Sequence, residues 1–109
     1  MLYEKMRNAW NEADVETYKA SHHEDWSFIF HSTGHVITSA NFNDQDMKNM
    51  MMSHKITDQR CIYENDDILV MHSISHFPNN TSDAVMMVHI KKDGLLWRTE
   101  TGSTPLTKN

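Results

Sequence analysis

Apolar side chains at Leu2, Met6, Ala9, Trp10 and Ala13 follow steps of i, i+4, i+7, i+8 and i+11, which fall on one stripe of a helix. Asp14 then has the side chain of an N-cap. It starts a second, short helix that turns Val15 and Tyr18 inward, at an angle to the first. From residue 25 the period changes to two. Trp26, Phe28 and Phe30 alternate with Ser27, Ile29 and His31, and the aromatic enrichment predicts a strand. Ser32, Thr33 and Gly34 turn the chain, and residues 35–42 return as a second short strand. Asn43 caps a third helix with acids in its first turn, where the helix dipole favours negative charge, and Met47, Met50 and Met51 form its apolar face.

From Lys55 onward the pattern predicts four strands, "KITDQRCIYE", "ILVMHSISHF", "AVMMVHIKK" and "LLWRTETG". Their turns are "NDD", "PNNTSD" and Asp93-Gly94, the last a strong two-residue hairpin signal. Helices grouped early and strands late predict an α+β domain, with three N-terminal helices packed on one face of a curved, mostly antiparallel sheet. A two-residue turn at Asp93-Gly94 pairs Ile90 with Trp97 and Val88 with Thr99. The concave face then carries Met86, Val88, Ile90, Trp97, Thr99 and Thr101, and Arg98 and Glu100 point to the convex side. A three-residue loop would reverse that assignment, because a slip of one residue moves every side chain across the sheet.

A chain of 109 residues is one domain's worth, so residues 1–109 are read as a single unit. The net charge of −5 and the lack of a basic stripe argue against a nucleic-acid partner, whose phosphates would be repelled. The single cysteine, Cys61, has no internal disulfide partner and no evident activating neighbour, and is read as a packing residue. The first residues are charged throughout and the apolar runs are short, so the expectation is a cytoplasmic protein with no membrane partner.

The richest stretch chemically is "SHHEDWSFIFHSTGHV", with four histidines in sixteen positions. Adjacent rings at His22 and His23 diverge and seldom share an ion, and further ligands would have to arrive from elsewhere. The cluster is read as a helix end and a turn, with no metal or cofactor expected. His72 and His76 share a strand face, but four residues of strand separate them by roughly 13 Å, too far to chelate one ion. Either can act singly, and His72 is the candidate proton shuttle on an otherwise apolar face; the alternative is a histidine satisfied in the core. Arg60 and Glu64 share a face of the preceding strand by even spacing. If that face is concave, Arg60 is an anion anchor and Glu64 a candidate catalytic carboxylate; if convex, they form a solvated charge ladder. Trp10, Trp26, Phe28, Phe30, Met51 and Trp97 are core residues that would also wall a cavity, joined by Arg60 and His76 as polar contacts.

The element order resembles the NTF2-like, or SnoaL-like, superfamily. The likeness is carried by "NEADVETYKASHHEDWSFIFHSTG", by the "KDG" hairpin before the last strand and by the closing "TETGSTPL". It implies a small cone-shaped fold, in a superfamily that holds ketosteroid isomerases, cyclases, epoxide hydrolases, dehydratases and non-enzymatic transport factors. It also implies where isomerase side chains would stand, near Met6, Phe30 and Met86, and all three are apolar here. Keto-enol chemistry needs a carboxylate and oxyanion donors, so the resemblance favours a pocket for a mostly apolar small molecule. The alternatives are an isomerase-, cyclase- or dehydratase-type enzyme using a pocket histidine, or a protein-interaction module with a collapsed pocket. A homodimer through the sheet is expected, because the broad convex face would otherwise stand exposed.

Overall fold

The computed structural model describes residues 1–41 and 43–106. Helix α1 (Leu2–Asn11) and helix α2 (Val15–Ala20) open the chain, followed by strands β1 (His22–Phe30) and β2 (Val36–Thr38), a 3-10 turn (Ser39–Asn41) and helix α3 (Asp44–Ser53). Strands β3 (Lys55–Glu64), β4 (Ile68–His76), β5 (Ser82–Lys92) and β6 (Leu95–Pro105) complete it. The element order is the expected one, an α+β fold. Its six strands form one sheet in the order β2-β1-β6-β5-β4-β3, antiparallel except for the β1·β6 pair.

The local signals act as their chemistry predicts. Asp14 accepts a hydrogen bond from the Thr17 amide at 3.1 Å, and Asn43 accepts from the Asp46 amide at 2.8 Å. Ala13, with φ of 53°, makes the break between α1 and α2. The first "strand" begins three residues earlier than the alternation alone places it, because His22 pairs with Leu96 directly after the α2 C-cap, Ser21. The second is shorter: after Thr38 the Asn41 side chain accepts from the Thr38 amide and folds the chain into the 3-10 turn, and the predicted end at Phe42 lies outside the described residues.

The core lies between α1 and the inner face of the sheet. Tyr3 and Met6 pack with Leu69 and Met71 of β4 and Leu96 of β6, with Tyr18 and Met87 alongside. The cross-strand register fixes the faces. Leu69, Met71 and Ser73 stand opposite His89, Met87 and Val85, which stand opposite Thr99, Thr101 and Ser103; Thr99 and Thr101 then adjoin Phe28 and Phe30. This row is the inner face. Val70, His72, Met86, Val88, Glu100 and Arg98 form the outer one.

Two bulges correct the predicted faces. The Asp93-Gly94 turn does have two residues, both in the left-handed region (φ 54° and 76°), and it pairs Lys92 with Leu95 and Lys91 with Leu96. Trp97 is then an extra residue, so Ile90 pairs with Arg98 instead of Trp97. Thr99 and Thr101 face inward as expected, but β5 presents Val85, Met87 and His89 inward and leaves Met86, Val88 and Ile90 outside. In β3 a second bulge at Ile62 separates the Cys61–Met71 and Tyr63–Val70 pairs. Arg60, paired with His72, faces outward, whereas Glu64, paired with Leu69, faces inward. Cys61 is exposed, not packed.

Candidate functional site

Between the helices and the inner sheet face lies an apolar cavity of about 220 Å³. The β1 aromatics Trp26, Phe28 and Phe30 form one wall, Met47 and Met50 of α3 another, and Val85, Met87 and Thr101 the floor. Trp10, Tyr18, His22, Ile37, His54 and Phe77 complete much of the rim and end walls. Alternation makes this wall: from Trp26 to Phe30 every second residue of β1 is aromatic, and the parallel pairing to β6 aims that row at the helices. Phe28 and Phe30 stack tilted at 4.9 Å, and Phe77 meets His54 edge-on at 5.4 Å.

The polar end is built around His22. Its Nδ1 lies 2.8 Å from the Tyr18 carbonyl, and its ring meets those of Tyr18 and Trp26, both tilted, at 4.8 and 5.6 Å. Burial lowers the His22 pKa below the ordinary imidazole value and raises that of Tyr18 to about 12, so both are neutral at pH 7. Beneath them His89, 2% exposed, is bound to the Thr99 hydroxyl at 2.6 Å. Burial, reinforced by His22 and Lys91, holds its pKa down at about 3. Among the described residues, Nε1 of Trp10 and Oγ1 of Thr101 are buried without a protein partner. None of the described lining residues is Asp or Glu.

The sequence candidates divide. Trp10, Trp26, Phe28 and Phe30 line the cavity; Met51, Arg60, Glu64, His72, His76 and Trp97 do not. Met51 is buried on the α3 flank that meets a separate shallow depression, while its neighbours Met47 and Met50 take the cavity side. His72 and exposed Arg60 face each other on the outer sheet surface, so neither can serve as shuttle or anion anchor in the cavity. His76, on the same outer face, bridges the Thr57 hydroxyl at 2.8 Å and the Ser82 hydroxyl at 2.9 Å. Trp97 leaves the inner face at its bulge and stacks under the Arg98 guanidinium at 3.9 Å.

Glu64 lies away from the cavity and anchors α1. Its carboxylate accepts from the Leu2 amide at 3.0 Å, capping the N-terminus of α1, and pairs with Lys91 at 2.8 Å. The adjacent histidines diverge: His22 turns inward, while His23 lies 3.5 Å from Asp93. Among the described residues no group of three or more His, Cys, Asp or Glu side chains is gathered for a metal ion.

Sequence reasoning missed Tyr18 and His22 as a unit. Their i, i+4 spacing across the end of α2 was a usable signal, since that spacing brings two rings together where a helix continues into its cap.

Neither a protein-family model nor a curated protein matches this sequence. Solved structures do match its shape. A ketosteroid isomerase-like protein from Kribbella flavida superposes with a TM-score of 0.75 at 15% identity, covering 99% of this chain and 78% of that one. An NTF2-like protein of unknown function from Cytophaga hutchinsonii gives 0.75 at 14% identity, with 94% and 87% covered. An LEH-like epoxide hydrolase of M. tuberculosis gives 0.68 at 12% identity, with 94% and 80% covered. The class is therefore an α+β sheet-and-helix fold enclosing a cavity. In particular, it is the NTF2-like fold, as the sequence resemblance implies.

Proposed function

We propose that this domain binds a small, mostly apolar organic molecule in the cavity between the helices and the sheet. The observation that carries this is an aromatic- and methionine-walled space of about 220 Å³ with no acid among its described lining residues. An apolar cavity of about 150 Å³ takes up benzene, so in proportion this one suits about nine heavy atoms. The isomerase and epoxide hydrolase activities of the structural neighbours are not carried over. His72 faces away from the cavity, and the place on β5 where an isomerase acid is expected falls between Val85 and Met87, both apolar and both lining. An enzyme of isomerase, cyclase or dehydratase type would have to work with His22 or His54 and no carboxylate. An open cavity also counts against a collapsed interaction module.

Self-association through the outer sheet face is a second proposal, supported by Met86 and Ile90, which are 43% and 42% exposed beside Val88. The test of ligand binding is titration of the protein with propylbenzene, followed by tryptophan fluorescence, since Trp10 and Trp26 both line the cavity. Saturable quenching that disappears in Met50→Trp, which fills the space, is expected. Quenching that never saturates, or that survives the filling substitution, would place the ligand elsewhere and end the proposal.

A further inference from the structure

We infer that the cavity selects a neutral ligand carrying one hydroxyl group, which donates its hydrogen to Nε2 of His22. This deepens the proposed function and rests on it. The tautomer follows from geometry. A backbone carbonyl only accepts, so the 2.8 Å contact of His22 Nδ1 with the Tyr18 oxygen requires the hydrogen on Nδ1. The neutral ring then carries its lone pair on Nε2. That nitrogen has no protein partner among the described residues, yet it is not sealed in as His89 Nε2 is. The Tyr18 and Trp26 rings, at 4.8 and 5.6 Å, fix the plane of the imidazole and hence the direction of the lone pair.

The remaining lining supports a neutral ligand. A cation would meet no carboxylate, and burying one unpaired is costly. An anion would meet a single charged lining residue, Lys19, whose ammonium is already held by Asp44 at 2.7 Å on the surface. The lining hydroxyls of Tyr18, Ser75, Ser103 and Thr101 both give and accept, so they do not discriminate between ligand donors and acceptors. Nε1 of Trp10, buried without a partner among the described residues, only donates and can be answered by a hydroxyl as well as by a ketone. Nε2 of His22 is thus a lining group committed to accepting, which a hydroxyl can answer and a ketone cannot. Burial lowers its pKa, which keeps Nε2 unprotonated at neutral pH.

Three probes of nearly equal size separate the possibilities: propylbenzene with no polar group, para-propylphenol with a donor, and propiophenone with an acceptor only. Calorimetric titration of the wild-type protein is expected to show para-propylphenol binding about five-fold more tightly than propiophenone. That preference should vanish in His22→Phe. A preference that survives in His22→Phe, or a ketone that equals the phenol in the wild type, overturns the inference while leaving the cavity proposal standing. Failure of all three probes sinks the cavity proposal itself. If His22→Phe does not fold, imidazole nitrogen NMR of the wild type decides the matter. Nε2 must be the unprotonated nitrogen and must shift on adding para-propylphenol but not propiophenone; hydrogen on Nε2 instead refutes the inference.

Discussion

Acid should unfold this protein through His89. The imidazole is 2% exposed, its Nδ1 is engaged by Thr99 at 2.6 Å, and its Nε2 has no partner in the described structure. Protonation would leave a buried N–H donor unmatched beside His22 and Lys91, and the folded-state pKa is accordingly depressed from 6.5 to about 3. Below pH 6.5 the unfolded chain takes up this proton and the folded chain does not. The stability that comes from keeping His89 neutral is fully present above that value and declines as pH falls toward 3. Each pH unit in this window removes about 1.4 kcal/mol, so about 3 kcal/mol is lost between pH 6.5 and 4. That is a large fraction of the roughly 5–15 kcal/mol by which a domain of this size is stable. Urea unfolding of the wild type and of His89→Phe across this range isolates the effect, because surface carboxylates titrate in both. The variant starts less stable, having lost the Thr99 contact, but the gap should close by about 3 kcal/mol on going from pH 7 to pH 4. A gap that stays constant to within about 1 kcal/mol would refute the reasoning and mean that His89 charges as readily in the folded protein as in the unfolded one.

The features legible in the sequence are those set by neighbouring residues. Asp14 and Asn43 were recognisable as caps because a short acceptor side chain answers an amide three residues on, and both do so. Asp93-Gly94 was recognisable as a two-residue turn because its backbone must enter the left-handed region twice. Trp26, Phe28 and Phe30 were recognisable as one wall because a strand alternates. What was hidden is parity. A bulge adds one residue and exchanges the two faces of everything beyond it. Trp97 does this to β6 relative to β5, and Ile62 does it within β3. No local side-chain chemistry announces either, since each is fixed by how the sheet bends over the helices. The split of Arg60 from Glu64 and the departure of Trp97 from the inner face follow from the same cause. His72 looked like a pocket residue because its row on β4 is otherwise apolar, and Arg60 only if its row on β3 turned inward. In the folded chain those strands give the helices Leu69, Met71 and Glu64, and the lost candidate histidine is replaced by one from the helix end, His22.

Two further predictions concern the anchors and the outer surface. Glu64→Gln should destabilise the fold by about 3–5 kcal/mol in urea, because Lys91 would be left charged and unpaired at 5% side-chain exposure; a cost below about 1 kcal/mol would show that the pair is wet and that Glu64 does not anchor α1. The outer sheet face gives the other. On it Met86 and Ile90 stand 43% and 42% exposed, in a row with Val88 and beside the charges Arg98 and Glu100 of the neighbouring strand, which pair with Ile90 and Val88. An apolar centre with a charged rim is the composition of a self-complementary interface, in which a twofold axis sets each rim charge near the opposite charge of the partner. Lysine at both positions would bring like charges together at the centre of such an interface while leaving the inner face and cavity untouched. Sedimentation of Met86→Lys/Ile90→Lys should therefore give a monomer with unchanged propylbenzene binding, and sedimentation of the wild type should give a dimer. A wild-type monomer at high concentration, or a dimer that survives both lysines, would locate the contact elsewhere or dispense with it.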